Sequence, residues 1–224
     1  HRFGKLGTID LRIDYLRPAI GERFELRAQV LRLGSRVAST RMEFLDEHQV
    51  RACNQHSQLG LVELPTLFLE FHGSAAAVKE QAELAQEVAA GHGGVAFEWA
   101  TRPEDRSRLW RARHLAYFAA LALKPGCQSI VSDVCVPISA LAECVAQTRR
   151  DIDQEGLVAP MLGHVGDGNF HVTMLVDIED ADEVERAEAF VGRLNLRAIA
   201  MEGTCTGEHG VGRDVAAGPA VAVG

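Results

Sequence analysis

The stretch Gly163-His164-Val165-Gly166-Asp167-Gly168-Asn169-Phe170-His171 decides how this chain is organised. Glycine in a helix interior costs about 1 kcal/mol relative to alanine, so these closely spaced glycines predict a loop. An apolar segment, residues 158–162, leads into the loop, and an alternating segment, residues 172–176, follows it. Two histidines at the ends of a tight loop between strands are able to reach a common point.

A second glycine-rich stretch, Gly203-Thr204-Cys205-Thr206-Gly207-Glu208-His209-Gly210-Val211-Gly212, follows a predicted helix over residues 182–200. His164, His171 and Glu208 together make two imidazoles and one carboxylate, the usual ligands of a divalent metal that keeps positions open for a substrate. A single histidine or a glycine cluster is more often structural. The combination of both glycine-flanked motifs in one chain favours a site.

Both motifs resemble motifs found in the C-terminal domain of the FAD-linked oxidases. The pattern Gly-His-x-Gly-Asp-Gly-Asn-x-His, followed by Gly-Thr-x-x-Gly-Glu-His-Gly-x-Gly, carries the resemblance. The segment from about residue 43 to 212, roughly three quarters of the chain, resembles the branch that holds D-lactate dehydrogenase and the glycolate oxidase flavoprotein subunit. The segments at residues 42–47, 65–73 and 133–137 support it.

The resemblance implies oxidation of a D-2-hydroxy acid, with D-lactate to pyruvate as the first expectation and flavin as hydride acceptor. It implies that His164, His171 and Glu208 hold a zinc or manganese ion, which lowers the pKa of the substrate hydroxyl as metals do for bound water. His209, next to the glutamate, is then the expected catalytic base, because an ordinary imidazole pKa lies near 6.5.

Three further residues take roles from the same resemblance. Arg113, in a Trp-x-x-Arg pattern, is expected to contact the substrate carboxylate, which a guanidinium fork suits. A surface arginine on an amphipathic helix is the open alternative. Asn169 is expected to support the loop by hydrogen bonding at the substrate site, and Asp133 to lie near the flavin edge.

No stretch of the chain resembles the FAD-binding domain that precedes this domain in the family. FAD is therefore expected to be bound mainly by a domain absent here, which becomes a partner, and this fragment alone is expected to be inactive. Metal binding without tight flavin binding is predicted.

Composition excludes several classes of protein. The net charge of −8 comes without a basic stripe, which argues against nucleic acid as a partner. The longest apolar stretch, residues 115–123, is far shorter than the ~20 residues that cross a bilayer. Without a signal peptide at the start, a cytoplasmic location is expected, with contact to the inner membrane through an electron acceptor as an extension. Five cysteines without a CxxC pair suggest reduced thiols.

Hydrophobic periodicity predicts an α+β fold: a ferredoxin-like antiparallel sheet with helices on one face, plus a small N-terminal antiparallel meander. The meander consists of strands at residues 8–18, 24–33 and 36–45. Further strands are predicted at residues 61–72, 94–99 and 129–136, and helices at 74–90, 102–123 and 137–150.

The N-terminal part, residues 6–47, resembles the C-terminal strands of a hot-dog-fold acyl-CoA thioesterase. Three regions follow: a thioesterase-like strand segment over 1–47, the FAD-linked oxidase C-terminal domain over 48–212, and an irregular tail over 213–224. A partial thioesterase and a non-catalytic chimeric fragment are the alternative functions. The half of the hot-dog fold that carries the catalytic carboxylate is missing.

Overall fold

The computed structural model describes residues 40–100 and 102–206. A five-stranded sheet runs through this part, with strand order β2-β1-β4-β5-β3 and every neighbouring pair antiparallel. The strands are β1 Thr40–Leu45, β2 Thr66–Phe71, β3 Gln128–Cys135, β4 Met161–Gly163 and β5 Asn169–Val176. The predicted α+β class with an antiparallel sheet is confirmed.

Six helices accompany the sheet. They are α1 Glu47–Ser57, α2 Ala75–Gly91, α3 Pro103–His114, α4 Ala116–Leu121, α5 Ile138–Glu155 and α6 Ala181–Ala200. Ser74, the first residue of the helix predicted over 74–90, is the N-cap of α2, because its side chain accepts from the backbone N–H of Ala77. None of the helices in the described part is both long enough and apolar enough to span a bilayer.

The main core lies between one face of the sheet and helices α5 and α6. Its fully buried side chains include Phe170 and Val172 from β5 and Phe190 and Leu194 from α6. Residues on β5 alternate between faces, and Phe170, Val172 and Met174 all point to this core. The intervening side chains, His171 among them, therefore point to the opposite face.

A smaller core covers part of that opposite face. Leu45 of β1 and Leu162 of β4 pack there against Val50 of α1 and Ala116 and Ala119 of α4. Asp46 starts α1 by accepting from the backbone N–H of Gln49 at 2.7 Å. Helix α1 was not predicted, although Asp at the N-cap followed three residues later by Gln is a signal for a helix start.

Two sequence-based elements differ from the structure. The strand predicted over residues 94–99 is absent, since Ala96 has a left-handed φ of 55° that interrupts an extended backbone. The single helix predicted over residues 102–123 is two helices, because Leu115 leaves the helical region at φ −90° and ψ 4°.

The N-terminal meander lies outside the described residues except for β1, the end of its third strand. Strand β1 pairs with β2 over its whole length and with β4 at Phe44 and Leu45. The thioesterase-like segment and the tail at 213–224 otherwise fall on residues that the structure does not describe, so those two regions stay predictions.

Candidate functional site

The two histidines of the first glycine-rich stretch lie side by side. His164 follows β4 directly and His171 lies within β5, where it pairs with Leu162. Their ring centroids are 5.8 Å apart, with ring planes at 84°. The predicted convergence of these imidazoles is present in the structure.

The loop between the histidines needs its glycines for steric reasons. The carbonyl of His164 accepts from the N–H groups of Asp167 and Asn169, at 3.0 and 3.3 Å, which closes the loop around a 3₁₀ turn. Gly168 has a φ of +77°, and a Cβ there would lie 2.1 Å from the Val136 carbonyl oxygen. A side chain at this position would push the loop off strand β3.

Glu43 of β1 reaches the histidine pair from the neighbouring strand. Its side chain is fully buried, and its Oε1 lies 2.9 Å from Nδ1 of His164. Arg41 donates through Nε to the same oxygen at 2.8 Å. Arg113 of α3 donates to the other oxygen, Oε2, through Nε at 3.0 Å and Nη2 at 2.7 Å. Three basic side chains thus surround one carboxylate.

These partners keep Glu43 ionised despite its burial. Burial by itself raises the pKa of this carboxyl, but the hydrogen bond to His164, electrostatic attraction to Arg113 and His164, and the hydrogen bond from Arg41 lower it to about 2. At neutral pH Glu43 is therefore an anion, which only accepts hydrogen bonds.

His171 has an acidic neighbour of its own. Asp133 of β3 stands directly opposite His171 in the β3–β5 ladder, and its Oδ1 lies 3.3 Å from Nδ1 of His171. The amide nitrogen of Asn169 donates to the same Oδ1 at 2.8 Å and to the carbonyl of Val134 at 3.1 Å. All three side chains are buried. These bonds hold the Asn169 side chain against strand β3. The predicted substrate-site role of Asn169 and the predicted flavin contact of Asp133 both stay predictions.

Arg113 is mostly buried next to the histidine pair. Its side chain is 11% exposed and donates to Glu43, while its predicted contact with a substrate carboxylate stays a prediction. The alternative of a surface arginine is wrong, because a guanidinium so enclosed is held by the buried carboxylate. Arg41, which is 46% exposed, lies over the ring of Trp110 at 4.8 Å.

The second glycine-rich stretch begins beside the first. Thr204 forms an antiparallel bridge with Cys135 at the end of β3, through N–H to carbonyl bonds of 2.7 and 3.1 Å. Gly203 allows this approach, since a Cβ there would lie 2.3 Å from the Cys135 carbonyl. Glu208 and His209 lie outside the described residues, so the third ligand and the base stay predictions.

Within residues 40–100 and 102–206, no three His, Cys, Asp or Glu side chains are grouped so that they could hold a metal ion. The donor chemistry of the two imidazoles nevertheless suits a divalent metal, because ligating histidines usually give their second ring N–H to a carboxylate. His164 and His171 each have a carboxylate oxygen beside Nδ1.

Sequence reasoning missed Glu43, Arg41 and the role of Trp110. One signal for Glu43 was available: a charged residue stands directly between two apolar residues, Met42 and Phe44. Which basic residues surround it could not be seen from the sequence, since Arg113 and His164 are 70 and 121 residues away.

The chain is similar to proteins of a known family. The family described as FAD linked oxidases, C-terminal domain, matches residues 25–217. A probable mitochondrial D-lactate dehydrogenase of Danio rerio is 47% identical over 195 residues, which cover 87% of this chain and 39% of that protein. A mitochondrial D-lactate dehydrogenase (cytochrome) of Arabidopsis thaliana is 39% identical over 178 residues, covering 80% and 31%. The chain thus spans less than half the length of these relatives.

Two other similarities concern the fold and the N-terminal part. A 4-ethylphenol oxidase from Gulosibacter chungangensis, solved in an isoeugenol complex, shares the fold with a TM-score of 0.50 at 14% identity, covering 70% of this chain and 38% of that chain. The medium/long-chain acyl-CoA thioesterase YigI of Escherichia coli is 51% identical over 49 residues, which cover 22% of this chain and 32% of that protein. The thioesterase resemblance is therefore partial.

The expected cytoplasmic location is contradicted by the relatives. The similar proteins from Danio rerio, Arabidopsis thaliana and Kluyveromyces lactis are all named as mitochondrial. The expectation rested on the absence of an apolar leader at the start of the sequence, which says nothing about a longer parent protein. Since the family match covers most of the chain, the chain belongs to the FAD linked oxidases, as their C-terminal domain.

Proposed function

We propose that this chain supplies the substrate- and metal-binding part of an FAD-dependent D-2-hydroxy acid dehydrogenase, with D-lactate as the substrate and pyruvate as the product. One observation carries the proposal: the imidazoles of His164 and His171 meet at 5.8 Å, and each has a carboxylate beside Nδ1. Relatives named as D-lactate dehydrogenases support the choice of substrate.

Glu208 completes the proposed ligand set. Thr204, four residues before it, is bridged to Cys135, and Cys135 pairs with Asn169 at the start of β5. Four residues of chain span at most about 14 Å, a length that would allow Glu208 to reach the two histidines. Zinc and manganese both suit two imidazoles and one carboxylate.

Each group of the chain has a defined task in this proposal. Arg113 orients the substrate with N–H groups that do not bond to Glu43. A guanidinium carries five N–H groups, and two of those of Arg113 donate to Glu43. His209 accepts the hydroxyl proton at a ring nitrogen. A bound flavin would supply the hydride acceptor, and a bound metal would polarise the substrate hydroxyl. The flavin domain and the substrate are the proposed partners of the chain.

The test uses the full chain and Co²⁺ as a spectroscopic probe. We expect one equivalent of Co²⁺ bound with nitrogen ligands, and loss of this site in the variant His164→Ala with His171→Ala. The matched control replaces two exposed histidines of the described part, His56→Ala with His92→Ala, and should retain the site. D-lactate should shift the Co²⁺ absorption spectrum more than L-lactate does.

Two results would contradict the proposal. The first is a wild-type chain that binds Co²⁺ no better than the double variant. The second is a bound Co²⁺ whose spectrum responds to neither lactate. Dye reduction with D-lactate, after addition of a flavin domain produced separately, extends the test to catalysis.

A second candidate function rests on the 49 residues shared with the Escherichia coli thioesterase. It predicts hydrolysis of a medium- or long-chain acyl-CoA by the full chain, measured as released thiol. The match covers only 32% of that thioesterase, which is why we place it second. If the chain neither takes up metal nor hydrolyses thioesters, the remaining candidate is a non-catalytic fragment.

A further inference from the structure

Glu43 has surroundings that stability alone does not explain. It has no exposed surface and contacts basic side chains from three separate places, namely Arg41 on β1, Arg113 on α3 and His164 after β4. Replacing buried ion pairs by apolar residues of similar volume is often neutral or stabilising. A buried carboxylate that contacts two arginines and one histidine is therefore better explained by what it orients.

We infer that Glu43 is a positioning residue that holds His164 with its proton on Nδ1 and Arg113 in one orientation, thereby aligning the metal-binding and substrate-binding halves of the site. This inference rests on the function proposed above and deepens it. Glu43 itself stays behind both groups and touches neither the metal nor the substrate.

The histidine half follows from hydrogen-bond chemistry. Oε1 of Glu43 lies 2.9 Å from Nδ1 of His164. Both oxygens of Glu43 already accept hydrogen bonds, Oε1 from Arg41 and Oε2 from Arg113. A carboxylate oxygen in this role pairs with a donor, so we assign the proton of the His164 contact to Nδ1. In a neutral imidazole this places the lone pair on Nε2, the nitrogen on the far side of the ring from Glu43. Ligand orientation by a carboxylate of this kind strengthens metal binding.

The arginine half uses the other oxygen. Nε and Nη2 of Arg113 both donate to Oε2, while Arg41 and His164 share Oε1. These two bonds hold the edge of the guanidinium that carries Nε and Nη2 toward Glu43, whereas a single bond would leave that edge free to turn away. Each carboxylate oxygen thus serves one half of the site, and a glutamine could satisfy only one of them.

The second histidine also lies beside a buried carboxylate, but without the hydrogen-bond geometry found at His164. Oδ1 of Asp133 is 3.3 Å from Nδ1 of His171, and that oxygen accepts from the Asn169 amide at 2.8 Å. Orientation by a hydrogen-bonded carboxylate is therefore inferred for His164 and not for His171.

The test compares two buried, ion-paired glutamates. Glu43→Gln leaves an amide NH₂ facing either Arg113 or the Arg41–His164 pair, and we expect Co²⁺ to bind roughly 10- to 100-fold more weakly to this full-length variant. Glu183→Gln is the matched control, because Glu183 is also buried and paired with a cation, Lys124, but lies away from the histidines. Its Co²⁺ affinity should equal that of the wild-type chain.

A second measurement needs no substitution of Glu43. The ¹⁵N chemical shifts of the His164 ring in the metal-free wild-type chain, assigned by their loss in His164→Ala, should show a proton on Nδ1 at neutral pH. A ring without that proton would overturn the inference even if Glu43→Gln failed to fold.

The outcomes separate the inference from the proposed function. If the wild-type chain binds Co²⁺ through His164 and His171 while folded Glu43→Gln binds it equally tightly, the inference alone is wrong. Equal losses in Glu43→Gln and Glu183→Gln would also overturn it, since any buried charge would then have the same effect. A wild-type chain without Co²⁺ at these histidines would end both.

Discussion

Glu43 and Arg113 are 70 residues apart in the chain, yet two nitrogens of the Arg113 guanidinium donate to a single oxygen of Glu43, at 3.0 and 2.7 Å. Helix α3 is thereby tied to strand β1. The contact joins the two proposed halves of the site, and its energetic role can be measured separately from metal binding.

Arg113→Met should destabilise the chain strongly. Removing one partner of a buried ion pair typically costs about 3–5 kcal/mol, because the remaining charge loses its compensation. Arg41 and His164 still face Glu43, so we expect about 3 kcal/mol by urea denaturation. The double variant Glu43→Gln with Arg113→Met should lose less than the sum of the single variants. Additive losses would contradict a direct coupling between the two residues.

Gly168→Ala should destabilise the loop between the histidines. The new Cβ would lie 2.1 Å from the Val136 carbonyl at a φ of +77°, so we expect a loss of roughly 2–4 kcal/mol in thermal or urea unfolding. The control is Gly192→Ala within helix α6, where a Cβ meets nothing within 4 Å. That substitution should stabilise the chain by up to about 1 kcal/mol. Similar effects at both positions would contradict this account of the loop.

Asn169→Asp should disturb the second histidine. The Asn169 amide nitrogen donates to Oδ1 of Asp133, so a carboxylate at residue 169 would place two acceptors of like charge together in a buried position. We expect a loss of about 3 kcal/mol at neutral pH. Exchange of the pair, Asn169→Asp with Asp133→Asn, should restore part of the stability in urea unfolding. No recovery would show that the bond between these side chains is not the cause.

Asp46 predicts a pH dependence that can be isolated with one variant. Burial raises the pKa of Asp46 to about 6 from 3.8, despite the hydrogen bond from the backbone of Gln49 and the nearby charge of Arg149, which lower it. At a pH between these two pKa values, Asp46 is protonated to a greater extent in the folded state than in the unfolded state. Stability therefore falls as the pH rises from about 4 to about 6, by at most about 3 kcal/mol.

Asp46→Asn removes this titration but keeps a side-chain oxygen that can cap α1. As the pH rises across that range, the unfolding free energy of the wild type should fall relative to that of the variant. Above that range the difference between the two proteins should be constant. A difference that is constant with pH, or that shifts in favour of the wild type as the pH rises, would contradict the raised pKa.

Much of the fold was predictable because local signals decided it. Helix α6 and strand β5 were predicted from hydrophobic periodicity, and the start of α2 from its Ser74 cap. The failures also have local causes. The left-handed Ala96 and the break at Leu115 depend on backbone angles that apolar patterning does not encode.

By itself, the sequence determined the class of fold, the positions of both glycine-rich motifs and the proximity of the His164 and His171 rings. These features depend on short sequence spacing and on the small size of glycine, which act locally. Only the tertiary structure decided which carboxylates serve these histidines. Glu43 and Asp133 reach them through strand pairing and helix packing over long separations, and a buried charge takes its partners from whatever the fold brings within hydrogen-bond distance. That choice is a property of the assembled sheet, which no local stretch of residues contains.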